Sequence, residues 1–512
     1  MHNDNLFCVL RAGFPAHSET VAVETDTGLC YSWMDLERGS AMMANWLHSL
    51  SLPEGSRIAV QVEKSVEVLM LYLATLRSGH VFLPLNPAYQ ANEMGYFLTN
   101  AEPAVVVCSP DRFSWVSKLA FQSGAASVVT LDNQRGGTLL QRAVHQSDQH
   151  TPVHRDKNDL ATIIYTSGTT GRSKGAMLSH GNLSSNASML KDYWDWRADD
   201  VLIHALPIFH VHGLFVAIHA ALIGGSRMLW HSRFDPAQVL ADLPRATVLM
   251  GVPTFYTRLL ASPELNKARC HQMRLFISGS APMLADTFEA WHDRTGHAVL
   301  ERYGMSETVM LTSNPCVADP RHGQATQRIG GSVGFPLPGV ALRIVDEQHR
   351  AMATGEVGSI QVKGPSVFSG YWRMPERHAQ DFTSDGFFIT GDMGTLDEKG
   401  YVRIVGRSKD LIISGGLNVY PAEVENALNQ LPGVAESAVV GVPHADFGEV
   451  GFAFVVAQPG VTLQADALLG SLKQQLAAFK VPKHCKVVEE LPRNALGKVQ
   501  KNLLREQAKT TL

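Results

Sequence analysis

The chain has 512 residues, of which 45% are hydrophobic, and its 44 basic and 48 acidic residues give a formal net charge of −4. This is the composition of a globular protein rather than a disordered one, and the near balance of charges argues against a general nucleic-acid binder. The length is sufficient for roughly three domains of ~150 residues, or for one large domain and a small one.

The sequence carries no evident targeting or membrane signal. No run approaches the ~18 apolar residues of a membrane span, and the first residues lack the basic stretch and apolar core of a secretory signal. The six cysteines include no C-x-x-C pair, so we interpret them as reduced thiols. We therefore expect a cytoplasmic protein that does not associate with membranes.

The N-terminal part alternates helical patterns with short apolar runs. Residues 65–77 have apolar side chains at helical spacing, which predicts a helix that ends before Ser78. Short buried strands are predicted at 81–85, 104–108, 247–252 and 274–277. This alternation indicates α/β layers.

The pattern changes after residue 330, where glycine and proline become frequent and short β runs such as 358–363 predict an antiparallel, turn-rich region. A break near 406–410 precedes the last hundred or so residues. That segment is predicted to contain a helix beginning at Pro421, two strands (436–441 and 452–456), a helix (465–478) and a basic tail.

A loop suited to polyphosphate follows the apolar run 161–165. Its sequence, TSGTTGRSKG at 166–175, interleaves five hydroxyl residues with three glycines, and Lys174 adds a positive charge. Such a loop can turn many donors toward one anion, although its spacing differs from that of a P-loop. A mobile linker is the alternative, and the hydroxyls and lysine directly after a buried strand favour phosphate binding.

Five motifs in order resemble those of the adenylate-forming acyl-CoA ligases over nearly the whole chain. They are TSGTTGRSKG, RYGMSET (302–308), TGD (390–392), GRSKDLIISGGLNVYPAEVE (406–425) and PRNALGKVQK (492–501). The resemblance implies two half-reactions: a carboxylate attacks the α-phosphate of ATP to give acyl-AMP and pyrophosphate, and the thiol of coenzyme A (CoA) then displaces AMP. ATP, Mg²⁺ and CoA are the small molecules implied.

The resemblance also implies the domain organisation. We expect a mixed, multidomain α/β protein with a large N-terminal adenylation domain at 1–406, a hinge at 407–410 and a small mobile α+β domain at 411–512. The large domain is expected to contain α/β layers and a β-rich subdomain. Monomers or weak oligomers are expected.

Roles for individual residues follow from the same motifs. The phosphates would be held by Thr166, Ser167, Gly168, Thr169, Thr170, Gly171 and Lys174. The rest of the AMP moiety would contact Ser280, Ala281, Pro282, Tyr303, Gly304, Met305, Ser306, Asp392 and Arg407. Glu307, with Thr170, would hold Mg²⁺, which prefers carboxylate and phosphate oxygens.

Four of the proposed site residues have structural alternatives. Glu307 could be a solvated carboxylate at a helix end, and Asp392 and Arg407 could form internal ion pairs. Lys498 would stabilise the charge that develops at the reacting phosphate, but outside its motif it would pass for a solvated lysine of a basic tail.

The second half-reaction would use residues near the hinge. Lys409 matches the hinge position, about which the small domain rotates between the half-reactions. One orientation would bring Lys498 to the phosphate, and the other would bring Ser414, Gly415 and Gly416 beside the channel for CoA, where glycine allows close approach of a ligand.

Arg302 indicates which carboxylic acid is the substrate. The resemblance places Arg302, which precedes the Tyr-Gly-Met motif, at the acyl pocket, where many relatives with neutral acyl substrates carry a small residue. A guanidinium there needs a partner, and the simplest is a second carboxylate on the substrate, held as a fork. Ser280, His210 and Arg258 could line the same pocket. Arg302 could instead pair with a protein acid such as Glu301, and His210 with His212 could suggest a metal site, but no third ligand at useful spacing is evident.

A short dicarboxylate is therefore expected: malonate first, methylmalonate second. Succinate and oxalate are not strictly excluded, because the sequence does not give the length of the pocket. The alternatives for function are adenylation of another short acid, an enzyme that loads a carrier-protein phosphopantetheine, and a catalytically silent nucleotide-binding protein.

Overall fold

The computed structural model describes residues 3–166, 173–317, 327–415, 417–494 and 497–511. The strands are β1 Val21–Thr25, β2 Cys30–Ser32, β3 Arg57–Gln61, β4 Val81–Pro84, β5 Val105–Cys108, β6 Ser127–Thr130, β7 Leu160–Thr166, β8 Lys174–Ser179, β9 Val201–His204, β10 Arg227–Trp230, β11 Val248–Gly251, β12 Leu275–Ser278, β13 Leu300–Tyr303, β14 Thr312–Ser313, β15 Phe335–Pro336, β16 Ala341–Val345, β17 Gly358–Lys363, β18 Phe388–Leu396, β19 Val402–Arg407, β20 Ile412–Ser414, β21 Leu417–Val419, β22 Val434–His444, β23 Gly448–Ala457 and β24 His484–Val488. The α-helices are α1 Leu6–Arg11, α2 Trp33–Ser49, α3 Val66–Arg77, α4 Ala91–Ala101, α5 Phe113–Gln122, α6 Thr138–Ala143, α7 His180–Tyr193, α8 His219–Gly224, α9 Pro236–Asp242, α10 Pro253–Leu260, α11 Ala285–Thr295, α12 His378–Asp381, α13 Pro421–Asn429, α14 Ala465–Gln475 and α15 Lys501–Thr511.

Two large sheets form the N-terminal part. The first has nine strands in the order β15-β14-β13-β12-β11-β9-β10-β1-β2, and the second has six in the order β6-β5-β3-β4-β7-β8. Strands β13 to β1 along the first sheet, and β6 to β7 along the second, pair in parallel. Helical crossovers between parallel strands bury both faces of such sheets, which explains the continuous apolar runs in the sequence.

The largest apolar cluster combines side chains of both sheets with those of α2, α3 and α8. Every residue of α3 is buried, so this helix packs between the sheets. Ser32 begins α2 with a reciprocal capping box, and the Ser65 hydroxyl accepts the backbone N–H of Val68 at the start of α3. These caps satisfy backbone donors that the helices would otherwise leave unpaired.

The remaining sheets are smaller. Strands β16 to β19 form an antiparallel meander after the large sheets, and β20 to β24 form a mixed sheet covered by α13, α14 and α15. No described helix combines the length and apolar character that a membrane crossing requires.

Most predicted elements are confirmed within a few residues. The α/β layers, the antiparallel region after residue 330, the helix beginning at Pro421 and the two strands that follow it are all present. Two details were wrong. The helix predicted at 465–478 ends at Gln475, because Leu476 is extended, and the basic tail contains the regular elements β24 and α15.

Candidate active site

The predicted pocket residues lie where neighbouring parallel strands end. Ser280 follows β12, Arg302 lies near the end of β13, and Arg258 lies on α10, which follows β11. Because β11, β12 and β13 are parallel neighbours, their carboxyl ends meet at one edge of the sheet. Ligands of open α/β sheets bind in the crevice at that edge.

Arg302 is a buried cation with unused hydrogen-bond donors. Its relative exposure is 3%, and its Nε and Nη2 have no hydrogen-bond partner in the described part of the protein. The guanidinium packs so closely against Gly279 that a Cβ there would lie 2.4 Å from Nη1. Burial lowers the pKa of Arg302 to about 9. A charged group left in this state is costly unless a ligand completes its contacts.

Glu301 is not the partner of Arg302. Successive side chains on a strand point to opposite faces, and Glu301 Oε1 accepts the backbone N–H of Gly331 at 3.0 Å. Burial raises the pKa of this carboxyl group to about 7. The sequence left open whether Arg302 pairs with Glu301, and in the structure the two residues are not paired.

Two histidines line the same pocket as Ser280. The Nδ1 atom of His212 lies 3.3 Å from the Ser280 hydroxyl, and Nδ1 of His210 accepts the backbone N–H of His212 at 3.3 Å. Burial, with the nearby charges of Lys498 and Arg302, lowers the pKa of His210 to about 3. The His210 imidazole is therefore neutral near pH 7. The described residues contain no cluster of three or more metal-ligating side chains.

A cavity of about 560 Å³ opens beside these residues. Its lining includes His210, His212, Ser280 and Arg258, but not Arg302. Residues of the C-terminal part, such as Arg493, also line the cavity, so it lies between the N-terminal and C-terminal parts of the chain. The lining also carries one acidic and several basic side chains: Glu63, Lys64, Arg112, Arg233 and Arg493.

Asp392 and Arg407 face each other on adjacent strands. Arg407 Nε lies 2.6 Å from Asp392 Oδ1, and the Tyr303 hydroxyl donates to Asp392 Oδ2 at 2.5 Å. Burial raises the pKa of Asp392, and the charge of Arg407 opposes this shift. The internal ion pair considered as an alternative is thus present, and the hydrogen bond from Tyr303 links it to β13.

The stem of the glycine-rich loop is a β-hairpin. Thr166 at the end of β7 pairs with Lys174 at the start of β8. The Lys174 ammonium lies 4.2 Å from the centre of the Tyr371 ring. Lys174 is half-buried and begins a strand, so it does not lie in a solvent-open loop. Five predicted phosphate ligands lie outside the described residues: Ser167, Gly168, Thr169, Thr170 and Gly171.

Glu307 lies on the turn that follows β13. A Cβ at Gly304 would lie 1.8 Å from the Val309 carbonyl oxygen, so this tight turn requires glycine. The relative exposure of Glu307 is 5%, and its Oε1 accepts the Tyr371 hydroxyl at 2.8 Å. Burial raises the pKa of Glu307, and the hydrogen bond from Tyr371 opposes the shift. Glu307 is therefore not a solvated carboxylate.

The other predicted nucleotide contacts flank this turn and the end of β12. Met305, Ser306 and Ala281 are partly exposed, and Pro282 is exposed. Ser280 has a left-handed backbone with φ of 71°, which is uncommon for a residue other than glycine. Strained backbone of this kind is often found at binding sites.

Lys498 reaches this site from the C-terminal part. Its loop is closed by a bridge between Arg493 and Val499, and Asn494 Oδ1 accepts the Lys498 backbone N–H at 3.0 Å. Burial and the charge of Arg407 lower the pKa of Lys498, while the carboxylates of Asp392 and Glu307 oppose the shift. The lysine therefore lies among the charged residues of the site, not in a solvated tail.

The residues predicted for CoA binding and for the hinge lie elsewhere. Ser414 is buried at the end of β20, Gly415 donates its backbone N–H to the Phe447 carbonyl at 2.8 Å, and neither residue lines the described cavity. Gly416 lies outside the described residues. Lys409 is exposed in a short 3₁₀ turn, Ser408–Asp410, whose Asp410 pairs with Arg505 of α15.

The sequence did not identify three residues that shape the site. Gly279 has no side chain to clash with the Arg302 guanidinium. His212 forms a hydrogen bond with Ser280, and Tyr371 forms one with Glu307. His212 had been considered only as part of a metal pair. Tyr371 is 64 residues from Glu307 in the chain, so no local pattern could connect them.

The fold and the site together define an adenylate-forming class of enzyme. A family model described as "AMP-binding enzyme" matches residues 12–372, and one described as "AMP-binding enzyme C-terminal domain" matches residues 423–498. The chain belongs to the AMP-binding enzyme family.

Three relatives illustrate the similarity. The crystal structure of ATP-bound MatB from Rhodopseudomonas palustris is 52% identical, with a TM-score of 0.96 and full coverage of both chains. A feruloyl-CoA synthase from Amycolatopsis sp is 35% identical over 98% of each chain. A malonate–CoA ligase from Arabidopsis thaliana is 34% identical over 88% of this chain and 78% of its own.

Proposed function

We propose that this protein ligates malonate to CoA in an ATP-dependent reaction that passes through malonyl-AMP and releases AMP and pyrophosphate. The choice of acid rests on Arg302, a buried cation with two unused donors at the carboxyl edge of the sheet. The feruloyl-CoA synthase and the malonate–CoA ligase are about equally similar to this chain, so these two relatives by themselves do not select the acid.

The arrangement of charges favours a short diacid. Arg302 and Lys498 both lie close enough to His210 to lower its pKa. In our proposal one cation binds the distal carboxylate while the other meets the carboxylate that reacts. Methylmalonate, which adds one methyl group, is the second candidate substrate.

In the first half-reaction, one carboxylate oxygen attacks the α-phosphorus of ATP, and the bond to pyrophosphate breaks. Negative charge accumulates on the transferred phosphate, where a fixed cation is most effective. Lys498 supplies that cation in our proposal, and Lys174 with the hydroxyls of its loop holds the outer phosphates. Asp392 and Arg407 would contact the ribose hydroxyls, with Tyr303 beside the adenine.

The residues present fit a magnesium ion. Mg²⁺ is usually held by one or two carboxylates together with substrate phosphates, rather than by an all-protein cage. Glu307 supplies one buried carboxylate oriented by Tyr371, and the described residues contain no larger cluster of metal ligands. Glu307 would hold the ion, and the ion would neutralise charge on the phosphates.

In the second half-reaction, the CoA sulfur attacks the carbonyl carbon of malonyl-AMP, and AMP leaves. We propose that rotation about Lys409, which precedes this attack, withdraws Lys498 and brings Ser414 and Gly415 to the cavity. Arg112, Arg233 and Arg258 line that cavity and support free CoA, which carries several phosphates, as the thiol substrate.

A panel of acids tests this function. Malonate, methylmalonate, succinate, acetate, propionate and ferulate would each be supplied with ATP, Mg²⁺ and CoA, and AMP formation would be measured. Malonate should have the highest kcat/KM, and the acids with one carboxylate should be far poorer. A preference for propionate or ferulate over malonate would refute the proposed acid while leaving the ligase chemistry intact. Replacing CoA by a phosphopantetheinylated carrier protein tests the alternative thiol acceptor.

A further inference from the structure

The segment around Tyr371 connects the stem of the glycine-rich loop to the turn that carries Glu307. Met177 donates its backbone N–H to Gly370 at 3.1 Å, and Trp372 donates to Gly175 at 2.7 Å, so the segment pairs with β8 directly after Lys174. A few residues earlier, Phe368 donates its backbone N–H to the Glu307 carbonyl at 2.8 Å. The backbone of this segment is therefore fixed to both the loop stem and the Glu307 turn.

The Tyr371 side chain also contacts both of these regions. Its hydroxyl donates to Glu307 Oε1 at 2.8 Å, and its ring lies under the Lys174 ammonium, 4.2 Å from ring centre to Nζ. Both Tyr371 and Glu307 are buried. One aromatic side chain thus orients the carboxylate proposed for Mg²⁺ and supports the cation proposed for the phosphates.

We propose that Tyr371 is a positioning residue that prepares the site for Mg²⁺-bound ATP. This inference rests on the proposed function. A free carboxylate side chain samples many rotamers, and a hydrogen bond from a fixed hydroxyl holds one of them before the ligand arrives. Partners that orient a metal-binding carboxylate commonly contribute 10–100-fold to metal affinity. The aromatic face adds an attraction for the lysine that does not require an acidic partner.

A purely structural role is the competing explanation. Tyr371 packs edge-on against Phe368 at 4.9 Å, as a core residue would. In that case, loss of the hydroxyl would lower the melting temperature and leave the affinities for nucleotide and metal unchanged.

Calorimetric titration of the full-length protein with ATP, in the presence and absence of Mg²⁺, separates these roles. The ratio of the two dissociation constants measures how much Mg²⁺ improves ATP binding. Tyr371→Phe keeps the ring and removes only the hydroxyl, so it should reduce this ratio by about 10–100-fold and leave metal-free ATP binding unchanged. Tyr371→Leu removes the ring as well, and it should also weaken metal-free binding.

Two controls make the result specific. Tyr401→Phe removes another buried hydroxyl, which donates to the Gln327 carbonyl at 2.7 Å, and it should leave both constants unchanged. In a Glu307→Gln background, Tyr371→Phe should have little further effect on the ratio, because residues that act through one contact are not additive. An effect of Tyr371→Phe that persists at full size in this background would overturn the inference.

The inference and the proposed function fail differently. Wild-type protein that does not bind ATP would refute the nucleotide site itself and the role of Tyr371 with it. Wild-type protein that binds Mg²⁺-bound ATP, together with a Tyr371→Phe variant of unchanged ratio, would refute only the role of Tyr371, whatever its melting temperature.

Discussion

Replacement of Arg302 by methionine tests the choice of acid directly. Methionine keeps much of the side-chain volume but has neither charge nor donors. Two donors of Arg302, Nε and Nη2, are unpaired in the described structure. Hydrogen bonds that involve a charge contribute about 1.5–3 kcal/mol each, so a two-pronged grip on the distal carboxylate would contribute about 3–6 kcal/mol. At about 1.4 kcal/mol for each tenfold change, kcat/KM for malonate should fall by about 10²–10⁴.

The measurement is kcat/KM for malonate and for propionate in wild type and variant, by AMP release. Propionate has no distal carboxylate, so its kcat/KM should change little. The ratio of kcat/KM for malonate to kcat/KM for propionate should therefore fall sharply. Arg302→Lys should restore only part of the ratio, because lysine keeps the charge without the planar fork.

Arg274→Met is the matched control. Arg274 lies just before β12, at the opposite edge of the same sheet, and pairs with Asp200 at 2.5 Å. Its replacement should lower stability and affect all acids alike. If Arg302→Met behaves in the same way, with an unchanged malonate-to-propionate ratio, the reasoning from the unpaired guanidinium is refuted.

Three further substitutions follow from the geometry. Lys498→Ala should slow formation of malonyl-AMP by about 10²–10³, while transfer from supplied malonyl-AMP to CoA stays nearly intact; equal losses in both half-reactions would contradict the separation. Lys174→Ala should raise KM for ATP without a large change in melting temperature, because the backbone pairing of β8 with β7 remains; a large loss of stability would indicate a structural lysine. Gly279→Ala places a Cβ 2.4 Å from Arg302 Nη1 and should lower the malonate-to-propionate ratio, whereas Gly470→Ala, where a Cβ meets nothing within 4 Å, should not.

The sequence predicted the local features of this protein well. The helix at α3, the short apolar strands and the proline at the start of α13 depend on neighbouring residues, and the structure contains them. Element ends were less certain, as at Gln475, because a helix end depends on contacts beyond the helix itself.

The sequence identified the candidate residues but not their surroundings. It singled out Arg302, Glu307 and Lys498, and it left open whether Arg302 pairs with Glu301. That question depends on which face of β13 each side chain occupies and on what lies opposite, which the neighbouring strands and the turn at Gly331 decide.

The sequence alone thus determined the motif residues, the apolar periodicity and the helix starts, because each of these depends on residues that are close together in the chain. The tertiary structure alone decided that Gly279 makes room for Arg302 and that Tyr371 joins Glu307 to Lys174. It also decided that Lys498 of the C-terminal part lies among the charges of the N-terminal part. These contacts join segments far apart in the chain, and only the packing of sheets and helices brings their side chains together.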